Sequence, residues 1–129
     1  MTIVKFEEIK AWQEARNLTN LIYDISKMKE FRRDFGLTDQ IRRAAVSIMS
    51  NIAEGFLAST KKEFMRFLFI SLRSAAEVQS QLYVALDQRY IDRQKFTQAY
   101  QQTDKTAKHI RNFIKYLSKD LAKKELTNE

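Results

Sequence analysis

Proline is absent from this chain and glycine occurs only at Gly36 and Gly55. The tight turns of a β-sandwich or barrel need many such residues, because proline presets φ and glycine reaches left-handed backbone at no steric cost. A chain of 129 residues this poor in them can instead make a few long helices. Its length suits one domain, residues 1–129, with a proper core. Cysteine is also absent, which removes a disulfide framework and a thiolate metal site and fits a reducing cytoplasm. No apolar run approaches the roughly 20 residues needed to cross a bilayer, and the N-terminus lacks a signal-peptide core. The expectation is a soluble, cytoplasmic protein.

Four stretches have helical apolar spacing. The first, about Phe6 to Lys29, sets Ile9, Trp12, Ala15, Leu18, Leu21, Ile22, Ile25 and Met28 on one broad stripe. The charged stretch 29–36 breaks that period and reads as a connection. The second has Thr38 as N-cap and Asp39 in its first turn, and stops at Gly55, a residue type suited to a left-handed C-terminal position. Its apolar residues Ile41, Ala44, Ala45, Ile48 and Ile52 run beside a polar stripe of Gln40, Arg43, Ser47, Asn51 and Glu54. The third opens with Thr60-Lys61-Lys62-Glu63, a capping-box pattern, and runs to about Gln88. The fourth starts with Asp92 as N-cap and continues to about Lys124, with a seam from Phe96 through Thr103, Ile110 and Leu117 to Leu121. The links at 56–59 and 89–91 are short, so these helices are neighbours. An all-α, antiparallel up-down four-helix bundle is the expected architecture.

Segment three carries more apolar surface than one core needs. Beside its stripe of Phe64, Phe67, Leu68, Ser71, Ala75, Val78, Leu82 and Leu86 lies a second one, Met65, Phe69, Leu72, Ala76 and Tyr83. A helix greasy over more than half its circumference buries a second face against another subunit, or under a thick core closed by aromatics. The first option makes those five residues an oligomer interface. A further expectation concerns polar residues on segments two and three. Arg43, Asn51 and Glu54 can face Arg73, Glu77 and Gln81 in an interhelix network, since an unpaired buried charge costs several kcal/mol.

The chain has a formal charge of +7 and a pI near 9.7, and the surplus lies in its second half. Residues 91–129 hold nine Lys and Arg against five Asp and Glu. Lys108, Arg111, Lys115 and Lys119 follow one another at three or four residues, lining one side of segment four, and Lys105, Lys123 and Lys124 extend the row. Lys61, Lys62 and Arg66 form a smaller cluster at the start of segment three. Such spacing can track the phosphates of a nucleic acid; the alternative is a solvated face. No base-reading motif accompanies the row.

Nothing points to catalysis. His109 is the single histidine and has no acid three or four residues away, so the Glu-x-x-His pairs of di-iron bundles are absent. Two separated glycines exclude a phosphate loop, and Ser47, Ser71 and Ser74 sit inside helices without an assigned base. No enzyme activity, metal or cofactor is expected.

The run from Gly36-Leu37-Thr38-Asp39-Gln40-Ile41-Arg42-Arg43-Ala44-Ala45 to Ser50-Asn51-Ile52-Ala53-Glu54-Gly55 resembles the signature of the 23S ribosomal RNA intervening-sequence protein family of bacteria. Phe6 through Trp12 with Ala15 resembles the family's opening. Phe64-Met65-Arg66-Phe67-Leu68 with Ser74 and Glu77 resembles its third helix, although Arg73 stands where the family usually has glycine. The resemblance implies a homopentameric bundle without known enzymatic activity. It also implies kinship with the accessory variability proteins of diversity-generating retroelements, basic pentamers that bind a reverse transcriptase and nucleic acid. The resulting expectation is a non-enzymatic homo-oligomer that binds structured RNA through backbone contacts. The alternative is a protein-interaction scaffold serving a reverse transcriptase.

Overall fold

The computed structural model describes residues 2–127, and these form helices with no strand. A single 3-10 turn, Phe6–Glu8, precedes five α-helices: α1 Lys10–Ser26, α2 Lys29–Arg33, α3 Phe35–Phe56, α4 Lys61–Asp87 and α5 Arg93–Thr127. The four longer helices pack as a bundle in which each touches its sequence neighbour and α1 also packs on α5. Contacts fix the directions. Along α3 and α4, Gly55 meets Phe64, Ile48 meets Ser71 and Gln40 meets Gln81, so the two run oppositely. Along α4 and α5, Phe64 meets Phe113 and Tyr83 meets Phe96, with the same result. The core is one cluster built from Leu18, Ile22, Ile41, Ile48, Ile52, Leu68, Val78, Leu82, Ile110 and Leu117 with their neighbours. These are the residues whose spacing by three and four marks the buried stripes.

Several boundaries differ from the sequence reading, each for a local reason. The first segment is not one helix from Phe6 to Lys29. The Glu8 carboxylate accepts from the backbone of Val4 and Lys5 at 2.7 and 3.2 Å, closing a separate turn. Ile9 then takes an extended conformation that inserts its side chain into the core. The stretch read as a connection holds α2, which buries Phe31 completely against Tyr90, 5.6 Å between ring centroids. Asp34, not Thr38, caps α3: its Oδ1 accepts from Leu37 N at 3.0 Å, while the Thr38 hydroxyl donates to the Phe31 carbonyl at 3.0 Å.

Gly55 does not occupy a left-handed cap. It lies inside α3, which continues to Phe56 and stops at Leu57 in right-handed geometry. Its role is close approach: a Cβ there would sit 2.7 Å from Phe64 Cδ1 and 2.8 Å from Phe67 Cβ. The left-handed position instead falls after α4, at Arg89 with φ 63°. The amides of Arg89 and Tyr90 reach back to Leu86 and Ala85 at 3.0 and 2.9 Å, closing that helix end. At the other end of α4, Thr60 caps as read, accepting from Glu63 N at 3.1 Å. The Glu63 carboxylate turns to Arg66 instead of completing a capping box. Asp92 caps α5 by accepting from Lys95 N at 2.8 Å.

Candidate nucleic-acid interface

α5 is buried along one side and open along the other. Ala99, Thr103, Ala107, Ile110 and Leu117 face the core. Lys108, Arg111, Lys115 and Lys119 are all exposed on the opposite side, and none of the four has an ion-pair partner among the described residues. At 1.5 Å per residue the row spans about 16 Å, with a cation every 5–6 Å. Positive charge held in water on a rigid helix attracts polyanions without the cost of breaking a prior pair.

The flanking cations are placed differently. Lys105 is drawn to Glu14 of α1, 3.6 Å away. Glu14 also pairs with Lys10 at 3.3 Å and accepts from Gln102 Nε2 at 2.8 Å. The Gln102 hydrogen bond, supported by the two lysines, holds the Glu14 carboxyl below the ordinary carboxylate value. Its side chain is 4% exposed, and sequence reasoning missed it. The signal was present, since Glu14 falls three residues after Ala11 and four before Leu18 on the buried stripe of α1.

Lys61 is ion-paired with Asp120. The nearby Lys124 amine, as hydrogen-bond partner and then as a like charge, pushes the Lys61 pKa down. The start of α4 and the end of α5 therefore meet. Arg66 binds Glu63 at 2.6 Å and lies over the Phe67 ring at 4.8 Å. Their contact lowers the Glu63 pKa and raises that of Arg66. Lys62 and Lys123 are exposed.

The interhelix charge network does not form. Arg43 pairs within its own helix to Asp39 at 2.9 Å, with 79% of its side chain exposed. Asn51 donates to the Ser47 carbonyl and hydroxyl at 2.8 and 3.0 Å, and Glu54 and Glu77 are exposed. Small residues, Ser47, Ser71 and Ser74, meet along the contact of α3 with α4. Hydroxyls fill the seam: Ser74 donates to Ser47 Oγ at 2.9 Å and Ser71 to the Ile48 carbonyl at 2.9 Å. Arg43 and Glu77, together with Ser47, Ser74 and Gln81, line a groove of about 300 Å³.

Of the second apolar stripe on α4, Phe69 and Ala76 are exposed, whereas Met65 and Leu72 are half-buried against the core. Tyr83 is exposed on one side and packs on Phe96 and Tyr100 of α5 with the other. Among the described residues no cluster of His, Cys, Asp or Glu is placed to hold a metal ion. No described helix is long and apolar enough to cross a membrane.

Comparison with known proteins agrees with this arrangement of helices. The family model described as 23S rRNA-intervening sequence protein matches residues 7–112. A crystal structure from Bacteroides thetaiotaomicron VPI-5482, a protein of unknown function from the S23 ribosomal protein family, superposes with a TM-score of 0.76. It is 24% identical over 81% of this chain and 98% of that one, a level that establishes likeness of fold. No curated protein matches the chain.

Proposed function

Because the chain belongs to the 23S rRNA-intervening sequence protein family, we propose that it is a non-enzymatic, self-associating bundle that binds RNA through phosphate contacts. The observation that carries this reading is the exposed row Lys108, Arg111, Lys115 and Lys119, with exposed Lys62 adding to the positive surface. Lys61, Lys105 and Arg66 are tied to carboxylates, so they support the row's surroundings more than they contact a ligand. Self-association is proposed through Phe69 and Ala76 of α4, with Met65 and Leu72 beside them, on the antiparallel up-down bundle.

Replacing Lys115 and Lys119 together with Glu tests the row. Each lost phosphate contact on a duplex lowers the slope of log K against log salt by about 0.9, so the double variant should flatten it by roughly 2 and weaken binding at every salt concentration. Helicity and sedimenting mass should not change, since both side chains point into solvent. A double variant that binds RNA like its parent across the salt series would mean a merely solvated face. The scaffold reading, with a reverse transcriptase as partner, would then lead.

A further inference from the structure

Beyond Lys108, toward the start of α5, the same side of the helix continues one turn at a time through exposed Asp104 to Tyr100. The half-buried Tyr100 ring meets Tyr83 of α4 edge to face, 5.8 Å between centroids. Both rest on Phe96, which is buried and lies 4.9 Å from Tyr83 and 5.4 Å from Tyr100. Tyr83 is thus held by two rings while 50% of it remains exposed. Gln79 braces the site by donating to Asp104 Oδ1 at 2.7 Å.

We propose that Tyr83, backed by Phe96 and Tyr100, is a stacking platform for an unpaired nucleobase of a strand whose phosphates follow Lys108, Arg111, Lys115 and Lys119. The proposal rests on the nucleic-acid reading above and adds a preference for single strands. Charge complementarity selects the occupant, because a cationic row of phosphate spacing begins at Lys108, about two turns of α5 beyond Tyr100. Asp104, between Tyr100 and Lys108, repels a phosphate but accepts hydrogen bonds from base amino groups, so backbone contacts give way to base contacts there. A duplex keeps its base faces stacked inside, whereas a single strand can place one on Tyr83. Stacking of this kind tolerates any base, so discrimination is by strandedness.

The test uses the full chain, a single-stranded oligonucleotide carrying 2-aminopurine, and a duplex of the same sequence. Tyr83→Leu should weaken single-strand binding about tenfold, within the range of one lost base–aromatic stack, and abolish the quenching of 2-aminopurine. Duplex affinity and the salt slope should stay as in the parent, and Tyr83→Phe should bind as the parent does. Equal single-strand affinity for Tyr83→Leu and parent overturns the proposal, as does an equal loss for both nucleic acids. A changed sedimenting mass with unchanged single-strand affinity means that a second copy covers the ring, which also overturns it. Failure of the underlying reading looks different: the parent binds neither form at low salt, or the Lys115 and Lys119 variant keeps both affinities. Either result removes the stacking site along with the phosphate row.

Discussion

Gly36 and Gly55 stand near the two ends of α3, and a methyl group added to each meets different surroundings. At Gly36 the only atom within 4 Å is Asp34 Oδ1 at 3.8 Å, and the backbone is not left-handed. Gly36→Ala should therefore stabilise by about 0.4–1 kcal/mol, mainly by restricting the unfolded chain. At Gly55 the methyl would collide with Phe64 and Phe67. Overpacking of that kind costs about 1–3 kcal/mol and outweighs the roughly 1 kcal/mol that alanine gains in a helix. Urea midpoints should move in opposite directions, and a more stable Gly55→Ala would refute the close approach. Glu14 supplies a pH dependence. Its carboxyl is depressed by Gln102 and two lysines, so its contribution is present above the ordinary carboxylate pKa and fades as pH falls through the lower folded value. Glu14→Gln should flatten the acid side of the stability profile below about pH 4.5, which thermal melts across that range will show.

At the scale of elements, the junction of α2 and α3 depends on Asp34. One oxygen caps α3 and the other accepts from Tyr90 OH at 3.0 Å, joining this end to the α4–α5 turn. Asp34→Ala removes both bonds and should cost about 1–3 kcal/mol, whereas Thr38→Val loses one bond and about 1 kcal/mol. The reverse ranking in denaturant melts would restore Thr38 as the cap. Sequence could not separate them, because Asp34 and Thr38 are both good capping residues and α2 is too short to show a period. The helices it did reveal, α3, α4 and α5, have long stripes and side-chain caps. The charge network failed for another reason. Periodicity gives the face of a helix but not which partner a side chain takes, and Arg43 turns to Asp39 on its own helix while Ser47 and Ser74 join across the seam. Arg43→Ala should accordingly change stability by no more than about 0.5 kcal/mol, the range for an exposed pair.

At the scale of the whole molecule, the basic row was legible because exposed cations need only a helical period and a buried seam opposite. What sequence could not show is which cations are already engaged, since Glu14 and Asp120 reach Lys105 and Lys61 only after the bundle closes. Self-association is the remaining question of scale. Phe69 leaves 46% of its surface in water beside exposed Ala76, and burying such apolar surface contributes about 25 cal/mol per Å². Sedimentation at micromolar concentration should give a multiple of 15.3 kDa. Phe69→Glu would place a charge in that contact and should return the protein to a monomer of unchanged helicity. RNA affinity should then fall much further than one added negative charge explains, because an assembly engages several basic rows at once and a monomer only one. A monomeric parent, or a Phe69→Glu variant of parental mass, would exclude this face as the contact. A monomeric variant with nearly parental affinity would show that a single row suffices for binding.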